Sequence, residues 1–331
     1  MKTIPRLCAA ALAATLSAAA LISCSVDLTP PGRRYALVYG VTTYTTNQLD
    51  TGYPNLNYPD IDATSVYGLL AINGYDEVIR KIRNATLDES PTKANLVIDL
   101  AYFASIITPI DTFMLYFSGH GTSANGHKYI IPYLGVDGSD PFTFNPGLSV
   151  SEDDLGAYLE QIPTARKIVI LDSCYSGGFI SNPLEVDLTP PGYINKTDWI
   201  IEPAVIAKAI QNYASFSASG SGGISPYGNA IVISAAGSNE YSFEYGAPYG
   251  HGIATYFYLR SPQSGDLNGD GLVTAMEAFS LIKAGMDQEW NSVAPIYPLI
   301  DPSNPDPDYH DTYAPHISGG PLDYGIFLAA P

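Results

Sequence analysis

Two residues of the sequence, a histidine and a cysteine, have the chemistry and the surroundings for nucleophilic catalysis. His120 comes soon after the apolar segment 112–117, and Cys174 comes soon after the apolar segment 167–171. A cysteine thiolate is a strong nucleophile once a neighbouring base takes its proton, and histidine is the usual base near neutral pH. Glycines stand beside both residues, so a substrate backbone can come close to them. The pattern predicts a His/Cys pair that attacks a carbonyl group.

The segments around this pair predict an α/β fold. Four apolar runs are typical of strands that are buried on both faces: 35–41, 112–117, 167–171 and 230–234. Helices are predicted over 60–70, from a cap at Ser90 with Pro91 in the first turn, and from Ser151 onward. This alternation predicts a mainly parallel sheet with helices on both faces. Ligands of such sheets bind at the carboxyl ends of the strands, where His120 and Cys174 are expected.

Other chemistries fit these residues less well. A zinc site built from His120, His127 and Cys174 lacks a recognisable ligand spacing. The sequence contains no Gly-x-Ser-x-Gly motif, so a serine hydrolase of that type is disfavoured. We therefore expect catalysis that needs no cofactor.

The two motifs, Ser118-Gly-His-Gly121 and Asp172-Ser-Cys-Tyr-Ser-Gly-Gly178, resemble those of caspase-like cysteine peptidases, most closely the metacaspase-type and bacterial members. The resemblance extends from about residue 34 to about residue 260. It implies a caspase-like three-layer sandwich, in which a mainly parallel sheet has helices on both faces. It also implies that Cys174 is the nucleophile, that His120 is the general base, and that the backbone N–H groups of Gly121 and Cys174 form the oxyanion hole.

The same resemblance implies a specificity pocket. The segment 57–63 is similar to the family's first-helix motif, and Asp62 matches its acidic residue better than Asp60 does. Asp62 and Asp172 would then form an acidic pocket that selects Arg or Lys before the scissile bond. Tyr175 stands where metacaspases usually carry histidine, and the segments 228–236 and 239–244 equally suit the related legumain-like branch. A legumain-like peptidase that cleaves after Asn therefore remains an alternative.

A second motif predicts calcium binding. The segment 266–277 has the residue types of a calcium loop, with a glycine at the sixth position for the turn. We expect no helix over 261–265 before this loop and a helix from Thr274 through Trp290 after it. A weak structural calcium site is expected, and an acidic turn without metal is the alternative. The predicted ligands are Asp266, Asn268, Asp270, Leu272, Thr274 and Glu277.

The N-terminal segment predicts export. Residues 1–23 combine basic residues with an apolar run that is too short for a comfortable membrane span. The run ends at Cys24 in a sequence that resembles a bacterial lipoprotein box, so Cys24 is expected to carry lipid and residues 24–34 to form a linker. The expected location is the bacterial cell envelope, with the lipid at Cys24 as the membrane anchor.

Charge and cysteine content narrow the classes of partner. The chain has 15 Lys and Arg against 33 Asp and Glu, a net charge of −18, so a nucleic-acid partner is excluded. Of the three cysteines, Cys8 leaves with the signal and Cys24 carries the lipid. Cys174 is then the single free thiol, and no disulfide framework is possible.

The remaining segments complete the predicted organisation. Residues 35–260 form the peptidase-like domain, 261–290 the calcium loop and its helix, and 291–331 an irregular tail. The stretch 179–228 is expected to be an exposed connection with one helical piece, over 204–213, and to be a candidate for proteolytic processing. The favoured function is a lipid-anchored cysteine endopeptidase that acts on protein or peptide substrates. The alternative is a non-catalytic, Tyr-rich surface binding module.

Overall fold

The structure, a computed structural model, describes residues 32–44, 55–84, 86–135, 144–180, 203–219, 230–291, 313–319 and 325–329. The predicted signal peptide, Cys24 and most of the linker lie outside these residues. None of the helices within the described ranges is long and apolar enough to cross a membrane.

A six-stranded sheet forms the middle of the molecule. Its order is β12-β8-β7-β3-β1-β2, and all neighbours are parallel except the edge strand β12, which runs antiparallel to β8. The four predicted strands are confirmed, because their apolar runs are buried on both faces of the sheet. The sheet strands are β1 (Arg34–Gly40), β2 (Glu77–Lys81), β3 (Thr112–Ser118), β7 (Arg166–Asp172), β8 (Ile231–Ser234) and β12 (His316–Ser318).

Helices cover both faces, which confirms the three-layer arrangement. Along β1, Ala36 and Val38 contribute to one core while Leu37 and Tyr39 contribute to the other, as the two-residue period of a strand requires. The first core includes residues of α1 (Pro59–Ile72), α4 (Pro203–Ser219), α5 (Ile253–Tyr258) and α7 (Ala275–Gly285). The second core includes residues of α2 (Lys93–Ile106) and α3 (Glu152–Glu160).

Two predicted helix starts can be compared with the structure. Ser151 caps α3 as predicted, since its hydroxyl accepts a hydrogen bond from Asp154 N at 3.1 Å. The predicted cap at Ser90 is wrong, because α2 is capped by Thr92, whose hydroxyl accepts from Asn95 N at 3.2 Å. The buried Ser90 hydroxyl instead bonds to the preceding loop.

Two sets of short strands were not predicted from the sequence. One set follows His120, and the other follows β8. A three-stranded antiparallel sheet consists of β4 (Gly121–Ala124), β5 (His127–Ile130) and β6 (Val150–Ser151). A two-stranded ribbon consists of β9 (Glu244–Tyr245) and β10 (His251–Gly252). Both sheets begin or end close to the carboxyl ends of the central strands.

The connection between β7 and β8 is not simply exposed. Its helical piece is present as α4, longer than predicted, and packs against α7 with Val205 and Ala209 fully buried. These apolar side chains bring α4 into the core, so the expectation of an exposed connection is wrong for this part. Residues 181–202 and 220–229 lie outside the described residues.

The C-terminal region is more regular than the sequence predicted. A one-turn helix, α6 (Ser261–Ser264), precedes the loop, although no helix was expected there. After α7, a π-helical turn spans Met286–Asn291, in agreement with the predicted helix through Trp290. The tail supplies β12 to the central sheet, and its strand β13 (Gly325–Leu328) pairs with β11 (Leu272–Thr274). The prediction of an irregular tail is therefore wrong for the described segments 313–319 and 325–329, where Ile317, Ile326 and Phe327 are buried in the core.

Candidate active site

The two predicted reactive residues meet at one edge of the central sheet. His120 follows β3 and Cys174 follows β7, and these neighbouring strands are in register with Ser118 opposite Asp172. Gly119 N donates to Asp172 O at 3.2 Å, which joins the two strand ends. One cleft is lined by His120 and Cys174 together with Asp62 and Asp172. The structure thus brings the predicted catalytic and pocket residues together.

Cys174 lies in a turn that the backbone holds tightly. The next residue, Tyr175, has a left-handed backbone (φ 58°), and its N–H donates to Glu240 O at 2.8 Å. The Cys174 thiol donates to Ser242 O, with 3.6 Å between Sγ and the oxygen. Burial raises the pKa of the Cys174 thiol to about 11. A raised thiol pKa makes the thiolate less available, so a base is needed to remove the proton before the sulfur can attack.

Gly121 lies directly against the backbone of Cys174. A Cβ added at Gly121 would be only 2.0 Å from Cys174 O, so no other residue fits without moving one of the two backbone segments. The predicted oxyanion pair, Gly121 and Cys174, is thus adjacent in space although 53 residues separate the two in the chain.

A buried tyrosine supports His120, and the sequence analysis missed it. Tyr44 Oη accepts a hydrogen bond from His120 N at 2.6 Å and donates to Val41 O at 2.7 Å. The rings of Tyr44 and His120 are also in contact, with centroids 4.7 Å apart. Tyr44 is fully buried, so it provides a rigid surface for the histidine ring.

Asp62 is buried in the cleft wall and accepts hydrogen bonds from three residues. Its Oδ1 is 2.8 Å from His251 Nδ1, its Oδ2 accepts from Ser118 Oγ at 2.9 Å, and Gly252 N lies 3.3 Å from both oxygens. Burial raises the pKa of Asp62 to about 6, with the hydrogen bond from His251 acting in the opposite direction. Asp60, the other residue considered, instead accepts from Thr42 N at 3.2 Å.

Asp172 has a similar environment beside Asp62 in the same cleft wall. Its Oδ1 accepts from Ser242 Oγ at 2.7 Å, and its Oδ2 accepts from Thr255 N and Oγ1 at 3.1 and 2.6 Å. Burial raises the pKa of Asp172 as well, against the effect of these hydrogen bonds. Two carboxylates that share a buried wall disfavour each other's ionised form, and a cation placed between them would relieve this repulsion.

Four residues that bond to these two aspartates were not identified from the sequence: Ser242, His251, Gly252 and Thr255. One signal was present, because residues 250–252 repeat the Gly-His-Gly of residues 119–121. Gly252 is required by close approach, since a Cβ there would be 2.3 Å from Asp172 Oδ2 and 3.2 Å from Asp62 Oδ2. The remaining residues are ordinary polar side chains whose role depends on their neighbours in space.

The predicted calcium loop forms a compact acidic turn. Asp266 accepts hydrogen bonds from the N–H groups of Gly269, Asp270 and Gly271 at 2.8 to 3.1 Å. Both glycines have left-handed backbones, with φ of 79° and 86°. Glu277 is fully buried and forms a capping box with Thr274 at the start of α7. Among the described residues no three His, Cys, Asp or Glu side chains are grouped closely enough to hold a metal ion.

The carbonyl of Gly271 joins this loop to the tail. It accepts a hydrogen bond from Ala329 N at 3.0 Å, beside the pairing of β11 with β13. Asn268 and Asp270 are exposed and connected to each other, with 3.1 Å between Asn268 Nδ2 and Asp270 Oδ2. The predicted ligands offer mainly carboxylate and carbonyl oxygens, which are the donor types that Ca²⁺ prefers.

Two solved structures of low sequence identity are similar to this chain. The crystal structure of protein GSU0716 from Geobacter sulfurreducens is similar with a TM-score of 0.50 and 16% identity, over 90% of this chain and 100% of that chain. Caspase-1 from Spodoptera frugiperda is similar with a TM-score of 0.46 and 10% identity, over 87% of each chain. None of the curated proteins compared with the chain matches it.

A family model agrees with the resemblance noted in the motifs. The model of the caspase domain, peptidase family C14, matches residues 33–257, which include β1 through most of α5 and all residues of the cleft. The chain therefore belongs to the caspase-domain family.

Proposed function

We propose that this protein is a cysteine endopeptidase that cleaves after Arg or Lys. The observation that carries the proposal is that His120 and Cys174 line one cleft with two buried carboxylates, Asp62 and Asp172. The caspase-domain family supports a cysteine peptidase, and the charge of the cleft supports the specificity.

In the proposed reaction, His120 removes the proton from Cys174 as a substrate enters the cleft. The thiolate attacks the carbonyl carbon, and the backbone N–H groups of Gly121 and Cys174 stabilise the oxygen as it becomes negative. His120 returns the proton to the leaving amine, which leaves an acyl-enzyme on Sγ. Water then releases the acid, with His120 again acting as the base.

The cleft favours a cation in the first specificity pocket. Asp62, Asp172 and Glu244 contribute carboxyl groups to its lining, while the described lining contains no lysine or arginine. Most lone pairs of Asp62 and Asp172 already accept hydrogen bonds from the protein. A guanidinium or ammonium group would therefore interact with both carboxyl groups as a charge placed between them. A true caspase pocket for Asp would need a basic side chain there. A legumain-like preference for Asn remains the alternative specificity.

A panel of fluorogenic peptides tests this proposal. The peptides differ only in the residue before the scissile bond, which is Arg, Lys, Asn or Asp. We expect cleavage after Arg and Lys, no activity in Cys174→Ala, and nearly none in His120→Ala, with thermal midpoints close to that of the parent. Preferential cleavage after Asn would favour the legumain-like alternative. Full activity in Cys174→Ala would overturn the mechanism.

A second measurement separates an enzyme from a non-catalytic surface module. An acyloxymethyl ketone that carries Arg should label Cys174 in the parent but not in His120→Ala, because the reaction requires His120 to remove the proton of the thiol. If no peptide is cleaved and labelling is the same in both proteins, the Tyr-rich surface module becomes the better interpretation.

We further propose that the mature protein is a lipoprotein of the bacterial cell envelope, anchored through Cys24, a residue outside the described ranges. The test is incorporation of an alkyne fatty acid during expression, which Cys24→Ala should abolish.

We also propose that the turn at 266–277 binds Ca²⁺ as a structural ion. The residues that would hold it are Asp266, Asn268, Asp270, Leu272 through its carbonyl, Thr274 and Glu277.

A further inference from the structure

Among the residues that the structure describes, His251 is the one histidine near the cleft that the proposed reaction does not use. It lies on β10, at the end of the short ribbon with β9, and its side chain is 16% exposed. Its Nδ1 is 2.8 Å from Oδ1 of Asp62, whose side chain is only 1% exposed. A contact of this length is a hydrogen bond between an imidazole and a buried carboxyl group, and it is charge-assisted when the imidazole is protonated and the carboxyl group ionised.

The surroundings of Asp62 disfavour its ionised form, so the nature of its hydrogen-bond partners matters. It is buried, and a second buried carboxyl group, that of Asp172, lines the same cleft. Both conditions favour the protonated form of Asp62, which has no charge to offer a cationic substrate. Ser118 and Gly252 donate neutral hydrogen bonds to Asp62, whereas His251 is the donor that can also carry a positive charge.

We propose that His251 is a positioning residue that keeps Asp62 ionised, and thereby sets the selectivity for Arg and Lys. This inference rests on the proposed function, because it concerns the pocket that receives the residue before the scissile bond. His251 acts through Asp62 and needs no contact with the reacting atoms.

The surroundings of the pair define what else titrates nearby. The titratable groups that face the pair, or line the same cleft, come from several elements: Asp172 and Cys174 from β7 and its end, Tyr116 and His120 from β3 and its end, and Glu244 and Tyr245 from β9. Glu244 is held by Asn57 N and Tyr58 N at 2.8 and 3.0 Å. A test must therefore separate Asp62 from the catalytic residues.

The test compares two peptides that differ only in Arg or citrulline before the scissile bond. Citrulline has nearly the shape of Arg without its charge, so the ratio of kcat/KM for the two peptides cancels the titration of His120 and Cys174. The ratio is measured from pH 5.5 to pH 9 for the parent and for His251→Gln, which can donate a hydrogen bond but cannot carry a charge. A matched control is His127→Gln, because His127 also contacts a carboxylate, Glu152 at 3.2 Å, and does not line the cleft.

We expect the ratio in His251→Gln to fall about tenfold near pH 7 and to return to the parent value at high pH. Loss of an adjacent positive charge raises a carboxyl pKa by roughly two units, which leaves about a tenth of Asp62 ionised near pH 7. The control should follow the parent throughout. In an Asp62→Asn background, His251→Gln should no longer change the ratio, since the effect passes through Asp62. Thermal midpoints of all variants show whether they are folded.

Three outcomes decide the matter. The inference is supported if the midpoint of the pH dependence of the ratio is higher in His251→Gln than in the parent. A midpoint that is unchanged or lower overturns the inference while leaving the proposed specificity intact. A parent that cleaves neither peptide, or prefers citrulline, overturns the proposed specificity itself, and the inference with it.

Discussion

The cleft and the predicted calcium loop both contain carboxyl groups, but the two regions differ in the burial of these groups and in the origin of their hydrogen-bond donors. Asp62 and Asp172 are buried and accept hydrogen bonds from residues 56 to 190 positions away in the chain. Asp266 and Asp270 bond to backbone N–H groups within five positions. Ionised groups cost much free energy when buried and little when exposed. The cleft therefore holds charge that a ligand can use, whereas the loop satisfies its charge locally.

The first expected effect tests how far the loop region belongs to the core. Phe327 in β13 is fully buried beside the loop strand β11, whereas its neighbour Leu328 is 55% exposed. Phe327→Ala should lower the free energy of unfolding by about 3 to 5 kcal/mol. Leu328→Ala, the matched control, should lower it by less than about 0.5 kcal/mol. Urea denaturation measures both, and equal losses would mean that the tail is not part of the core.

The second effect tests the crowding of the cleft. Gly252→Ala would bring a Cβ within 2.3 Å of Asp172 Oδ2. We expect a loss of about 2 to 3 kcal/mol in the free energy of unfolding and weaker cleavage after Arg, because one carboxyl group must move. Gly68→Ala is the control, since Gly68 lies in α1 with no neighbour near its Cβ position, and it should stabilise by up to about 1 kcal/mol. Similar stability for the two variants would contradict the described wall.

The third effect tests whether the buried charge of Asp62 costs stability. Its pKa is raised from 3.8 to about 6, so its contribution to stability is full below pH 4 and is lost as the pH rises through 6. The stability of Asp62→Asn relative to the parent should therefore rise by about 2 to 3 kcal/mol between pH 4 and pH 8, because the variant has no carboxyl group that must ionise in the core. Its cleavage after Arg should fall at the same time. A variant that is less stable by the same amount at both pH values would contradict the burial argument.

The smallest effect concerns the loop. Millimolar Ca²⁺ should raise the free energy of unfolding by about 1 kcal/mol or somewhat more, because an ion that binds only the folded state stabilises it. Asp270→Asn should remove the increase while keeping the hydrogen bond to Leu272 N. Glu277 is a poorer choice for this test, since its capping box stabilises α7 without any ion. A parent whose thermal midpoint does not respond to Ca²⁺ has an acidic turn there and no calcium site.

The sequence by itself determined the parts of this protein that depend on local pattern. Continuous apolar runs can be stable only when both faces are covered, so the four central strands and the parallel sheet were predictable. The polar motifs that follow two of these strands had to meet at one sheet edge. The glycines of segment 266–277 likewise determined its turn, because their left-handed backbones need no distant contact.

Only the tertiary structure decided which polar residues surround the two cleft aspartates. Ser242, His251 and Thr255 have no distinctive spacing, and they matter because the segment after β8 folds back over the ends of β3 and β7. The tail was misread for the same reason. Short segments such as β12 and β13 have weak intrinsic preferences, and they become strands because partners elsewhere in the chain bury their apolar side chains and bond to their backbones.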